Sequence, residues 1–321
     1  MLATLDSIIV LTLKAIKEPE FRLLTLYMNN YIFGLSVWID LRRRKNFLST
    51  LLQMHHEIRP FVEKNLTNTF VYFINFLLAI QSITFVCANV RGGMAEFYAY
   101  GYPVTSPYNQ VFLILFKAIL YNILYPIFPT LMTFLLALIC HRISSQIRDL
   151  TSEISEFSPE EFSNSKQMAA FNCKRKIDEA LFILQKVFSF PSLLLCTSHF
   201  ICCCIHIGWF ILLYNSDKIW ALKINYTIAF MNSAISLLVF LWAVGGLPLE
   251  MEAFKNEFRR KLQHRLILRG KADEIDLGKA LNEEPTFVLS GCGIVYFRRS
   301  TILSLIASII TYTLLLLNTD Q

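Results

Sequence analysis

The apolar residues of this chain fall in separate blocks, near residues 22–40, 68–89, 111–139, 190–214, 223–247 and 300–318. Blocks of that length match a bilayer's hydrocarbon core, roughly 30 Å thick, at about 1.5 Å of rise per helical residue. A weaker block, 2–16 ("LATLDSIIVLTLKAI"), is short and carries Asp6. In lipid every backbone group needs an internal partner, so the blocks are read as helices. They lack the ten-residue alternation of a membrane barrel. One oversized soluble core is the competing explanation for the low charge content, and the separation of the apolar residues into such blocks argues against it. Only 17% of the residues are charged, where soluble domains carry about 25%. The reading is an all-α polytopic membrane protein, with six clear spans and a seventh if 2–16 crosses. Residues 1–20 lack a basic start and a small-residue cleavage site, so no cleavable signal peptide is expected.

Orientation follows from Lys and Arg between the blocks. Of the 30, six lie in 41–67, seven in 141–189 and ten in 249–299. The positive-inside rule places these three segments in the cytosol. The middle one is nearly charge-balanced, and the "RRRK" run at 42–45 carries more weight. The last span then runs outward, with the C-terminus extracellular and, if 2–16 spans, the N-terminus cytosolic. That is the reverse of a G-protein-coupled receptor, so a metabotropic seven-helix receptor is the disfavoured alternative. The same asymmetry accounts for the formal charge of +6 without a nucleic-acid partner.

The cytosolic segments carry helical periodicity. "RISSQIRDLTSEISEF" and "CKRKIDEALFILQKVF" extend the neighbouring spans inward, with "SPEEF" at 158–162 supplying a cap signal between them. "LEMEAFKNEFRRKLQHRLILR" (249–269) reads as a separate basic amphipathic helix after a break at Gly245, Gly246 and Pro248. The expected units are a six-span bundle over 1–248, a cytosolic anchor over 249–299 and a last helix over 300–321. No internal repeat supports an inverted-repeat transporter.

The last block has a polar face. At about 100° per residue, Ser300, Thr301, Ser304, Ser308, Thr311, Tyr312, Asn318 and Thr319 fall in one stripe with Leu315. Three readings compete. The hydroxyls bind a partner helix, they bond back to the preceding turn, or they line water in a pore built from several copies. Leu315 among hydroxyls has the form of a gate that closes by dewetting, with Asn318 offering amide oxygens and Asp320 negative charge at the outer mouth.

The final residues, "EEPTFVLSGCGIVYFRRSTILSLIASIITYTLLLLN", resemble the closing signature of the insect chemoreceptor superfamily, the gustatory and odorant receptors. Pro285, Gly291-Cys292-Gly293 and Thr311-Tyr312 match, with Thr313 to Leu317 as the five apolar-run positions. Asn318 stands where the signature has Gln, and Thr319 where it has Phe. The resemblance implies a tetrameric, ligand-gated, non-selective cation channel of the plasma membrane, with the last helix lining the pore. By position it assigns the gate to Leu315, the amide constriction to Asn318, and the following position to Thr319; the helical stripe puts Thr311 and Ser308 on the same wall. It implies a small-molecule ligand in the outer half of the bundle, a homotetramer or mixed tetramer, and permeant cations. A non-conducting structural or trafficking protein of the same fold is the alternative, its cues the missing Phe and the short first block.

Ligand-site candidates are the amphipathic aromatics of the outer halves: Tyr27, Tyr121, Tyr125, Trp209, Tyr214, Tyr226 and Phe230. Aromatics with a few polar groups suit small ligands, although belts of Tyr and Trp also mark plain membrane interfaces. In "CTSHFICCCIHIGWF", Cys196, His199, Cys203 and His206 share one helix face. Ligands stacked along one straight helix do not surround an ion tetrahedrally, so no metal is expected, only packing with histidines turned inward. The eight cysteines form no obvious disulfide framework. No phosphate loop, nucleophile elbow or metalloprotease motif occurs, so neither cofactor nor enzymatic activity is expected.

Overall fold

The structure is a computed structural model that describes residues 6, 21–58, 64–91, 95–212, 220–269 and 284–319. Its helices are α1 (Phe21–Arg43), α2 (Lys45–Ile58), α3 (Lys64–Arg91), the single turn α4 (Ala95–Tyr98), α5 (Pro107–Asn122), α6 (Phe128–Glu156), α7 (Asn164–Leu212), α8 (Trp220–Arg269) and α9 (Ser300–Thr319). A π-helical turn, Ile123–Ile127, joins α5 to α6 around Pro126, and Tyr125 within it has extended backbone angles. The only sheet among the described residues is a hairpin, β1 (Ser290–Gly291) against β2 (Val295–Tyr296).

Among the described residues four helical stretches, Asn68–Val90, Pro107–Glu156, Asn164–Ile211 and Trp220–Leu268, are long and apolar enough to cross a membrane. The last three run to about 50 residues, near 75 Å at 1.5 Å per residue, and so project far beyond the hydrocarbon layer. The extensions expected of 141–189 are therefore continuous helices. The reciprocal cap forms, with the Ser158 N–H 3.2 Å from Glu161 Oε2 and the Glu161 N–H 3.3 Å from Ser158 Oγ. It closes the turn between α6 and α7, whose first helical residue is Asn164.

The break expected at Gly245 to Pro248 does not occur: α8 continues through Pro248 to Arg269. Gly245 serves a close approach instead. A Cβ on Gly245 would lie 2.7 Å from the backbone nitrogen of Arg299, where the chain turns into α9.

The main core joins the projecting halves of α6, α7 and α8. Ile143, Ile147 and Ile154 interlock with Leu184 and Phe188, and with Val244, Phe254 and Phe258. Leu289 and Phe297 from the hairpin enter the same core. Elsewhere large side chains stay outside: Tyr72 and Phe76 on α3, Phe112 and Phe116 on α5, and Trp242 on α8 are all exposed. So broad an apolar surface is out of place in water and suits hydrocarbon. The expected first span over 2–16 lies outside the described residues except for Asp6.

Candidate functional site

Two features stand out, an aromatic cluster among the apolar halves of the helices and the mounting of α9. The cluster is assembled from separate elements. Tyr31 of α1 stands edge-on to Tyr121, with ring centroids 6.3 Å apart, and to Tyr125 at 6.2 Å. Tyr98 of α4 lies 6.4 Å from Tyr121 and 5.9 Å from Phe85. Cys202 of α7 closes the group. Edge-to-face contacts of this kind add to the burial of each ring.

The cluster has a charged margin. Lys117 of α5 is buried, and its ammonium lies 2.5 Å from Asp6 Oδ1. It also donates to the Tyr100 hydroxyl at 3.1 Å and sits over that ring, 4.7 Å from its centroid. The Tyr121 hydroxyl donates to Asp6 Oδ2 at 3.1 Å, so the ion pair and the ring cluster share Tyr121. Tyr98 donates to Asn89 Oδ1 at 3.2 Å. The sequence candidates Tyr121 and Tyr125 are thus brought together. Tyr31, Tyr98, Lys117 and Asp6 complete the group. Spacing did not single them out as partners, because the helices that carry them are far apart in the chain.

Trp209 stacks on Tyr226 at 5.8 Å with the planes 16° apart, and His206 stands 5.6 Å from the same tyrosine. This second group links α7 to α8. Phe230 belongs to neither: it lines a cavity of about 210 Å³ with Cys203, Leu237, Ile302, Leu305 and Ile309, between α8 and α9. Tyr214 and the side chain of Tyr27 lie outside the described residues. His199 is buried with one ring nitrogen 3.1 Å from Thr133 Oγ1, and no metal-holding group of His, Cys, Asp and Glu occurs among the described residues.

The start of α9 is fastened by the hairpin. Gly291 and Ile294 close a two-residue turn whose central residues, Cys292 and Gly293, both have positive φ, +55° and +71°. Such turns match the twist of paired strands and favour glycine. Gln185 of α7 donates to the Ser290 carbonyl at 3.0 Å and to its hydroxyl at 2.8 Å, while the Ser290 N–H donates back to Gln185 Oε1 at 3.0 Å. Ser189 donates to the Ser290 carbonyl and accepts from the Cys292 N–H, both at 3.0 Å. Phe297 meets Phe240 edge-on at 4.9 Å, and the Arg299 guanidinium lies 4.1 Å over Trp242.

Beyond this root, α9 is loosely held. Ile302, Leu305 and Ile309 rest on the bundle, whereas Ser304, Ser308, Thr311 and Leu315 are exposed, Leu315 by 60%. Ser308 and Thr311 donate back to the carbonyls of Ser304 and Ala307, both at 2.9 Å. Their hydroxyls therefore bind their own helix, with no bond to another helix among the described residues. Asn318 and Thr319 belong to the last turn of α9, and their side chains lie outside the described residues.

No protein-family model and no curated protein matches the sequence. Solved structures do match. The insect olfactory receptor OR5 from Machilis hrabei aligns over 99% of this chain and 88% of its own, at 13% identity with a TM-score of 0.69. The same receptor in complex with eugenol aligns over the same shares at 14% identity and a TM-score of 0.70. The fold is that of an insect olfactory receptor. The resemblance carried by the final residues is thereby borne out in the fold of nearly the whole chain.

Proposed function

We propose that this protein is a ligand-gated, non-selective cation channel of the gustatory-receptor type. In this reading four copies surround a pore in the plasma membrane, and each contributes α9 to its wall. The observation that carries the reading is the way α9 is mounted. Its inner end is bonded to α7 and packed on α8, while the stripe of Ser304, Ser308, Thr311 and Leu315 is left uncovered by its own bundle. A membrane helix with an uncovered hydroxyl stripe suits a surface that meets water. Back-bonding satisfies the hydroxyl donors without removing their capacity to accept hydrogen bonds from water.

The seven-span topology, with N-terminus inside and C-terminus outside, belongs to the same proposal. Leu315 forms the hydrophobic constriction, Asn318 an amide ring beside it, and Thr319 the mouth. The ligand is a small molecule held at the aromatic cluster around Tyr121 and Tyr125. The eugenol complex of the structural neighbour, a small phenol bound by a receptor of this fold, supports that ligand class. Trp209, stacked on Tyr226, forms a second wall, and Tyr214 remains a proposed contact. Phe230 acts behind α9 and not in the ring cluster.

The test is electrical. Leu315→Ser removes the dewetting barrier and raises basal current severalfold, while Asn318→Ala changes relative cation permeability. Both are read by whole-cell recording with surface expression matched. Unchanged basal current and unchanged permeability in a conducting channel would remove the pore assignment.

A further inference from the structure

We infer that the elbow between α1 and α2 binds the headgroup of an anionic phospholipid in the leaflet that meets the basic side of the protein. Arg42, Arg43, Arg44 and Lys45 follow one another where α1 ends and α2 begins. A run of four or more basic residues at the cytosolic end of a membrane helix attracts anionic lipid. Positive-inside bias alone requires no more than their presence, and the structure adds an arrangement. Arg44 is withdrawn from the group: its Nε bonds Asp40 Oδ1 at 3.1 Å, and its Nη1 donates to the backbone carbonyl of Lys186 on α7. That bond holds α7 against the elbow and brings in a further cation. The Lys186 ammonium lies 3.9 Å over the ring of Phe47 on α2.

Arg42, Arg43, Lys45 and Lys186 are all exposed, and no carboxylate pairs with any of them among the described residues. Asp40, the nearest acidic residue in the chain, is occupied by Arg44. Apolar groups flank the cations. Trp38 is exposed under Arg42 at 5.1 Å, and Phe47 and Leu52 are exposed on α2. Cations beside an exposed aromatic and a leucine match the boundary between headgroup and acyl chain, where rings and aliphatic groups bury shallowly. A soluble anion would have no use for that apolar flank. The site also adjoins the mounting of α9, because Lys186 directly follows Gln185, whose amide holds Ser290. The inference does not depend on the chain conducting ions.

Native mass spectrometry of the purified full chain tests it, with phosphatidylinositol 4,5-bisphosphate and phosphatidylcholine added together in micelles. The wild type retains the anionic lipid preferentially. Each basic side chain near an anionic surface is worth about fivefold. The double variant Arg43→Gln/Lys45→Gln is therefore expected to lose about tenfold or more in retention, and Arg175→Gln/Lys176→Gln, which removes equal charge from α7, to lose little. Preferential retention by the wild type must also fall as salt is raised, which needs no variant. Equal retention of both lipids, equal losses in the two double variants, or complete displacement by soluble inositol hexakisphosphate at matched concentration would overturn the assignment.

Discussion

At the scale of residues, the charged pair Asp6 and Lys117 is the feature that sequence reading left unexplained. Sequence patterning gives no role to Asp6 in its short apolar block, or to Lys117 within the apolar block 111–139. In the structure each accounts for the other, with Tyr121 and Tyr100 completing the hydrogen bonds. Such a pair is poor evidence of stability, yet removing one partner strands the other's charge; that costs about 3–5 kcal/mol for a fully buried pair, and less here because Asp6 is half-buried. Lys117→Met is expected to lower the thermal midpoint in lipid nanodiscs, and the double variant Asp6→Asn/Lys117→Met to recover most of the loss. Failure of the double variant to recover would mean that the two groups do not compensate each other. Tyr121→Phe removes one bond to Asp6 and leaves the ring contacts in place. Its expected effect is a shift in agonist concentration dependence with little change in assembly, read from dose–response curves. An unshifted curve would move the ligand site elsewhere.

At the scale of elements, the hairpin and the glycines of α8 form one joint. Gln185→Leu leaves the Ser290 N–H without its side-chain acceptor, at a cost of about 1–3 kcal/mol. Faster hydrogen exchange at Ser290 and Cys292, with a lower melting midpoint, is the expected result. Gly245→Ala places a methyl group against the Arg299 backbone, which cannot turn aside as a flexible side chain can. Overpacking of that kind costs about 1–3 kcal/mol. If both variants melt like the wild type, the root of α9 is not fastened as described. The sequence reading treated Gly245 and Gly246 as a helix break because glycine and proline are usual stop signals. Within a membrane helix neighbouring elements compensate for them, and here Gly245 makes room for a distant backbone. Only the three-dimensional path of residues 298 and 299 reveals that use.

At the scale of the whole molecule, the blocks at 68–89, 111–139, 190–214 and 223–247 were legible because hydrocarbon thickness imposes a length on each. Their long extensions were legible too, from periodicity on the charged side. The olfactory-receptor fold was signalled by a few terminal residues, among them the Gly291-Cys292-Gly293 turn, where a positive φ accounts for Gly293 and close approach to Leu193 for Gly291. The aromatic cluster was half visible. Tyr121 and Tyr125 lie close in the chain, whereas Tyr31 and Tyr98 reach them only through packing of α1 against the π-helical turn and of α4 against α5. Phe230 was drawn to the same group by its depth in the span, and the rotation of α8 turns it toward α9 instead.

The central claim, that α9 walls a cation pore, is tested most directly by cysteine substitution along that helix during current recording. Cysteines at Ser304, Ser308, Thr311 and Leu315 are expected to make the current sensitive to a small water-soluble thiol reagent. Cysteines at Leu303 and Ile310, exposed on another side of the helix, are expected to leave it insensitive. Equal sensitivity at all six positions, or sensitivity confined to Leu303 and Ile310, would contradict the account.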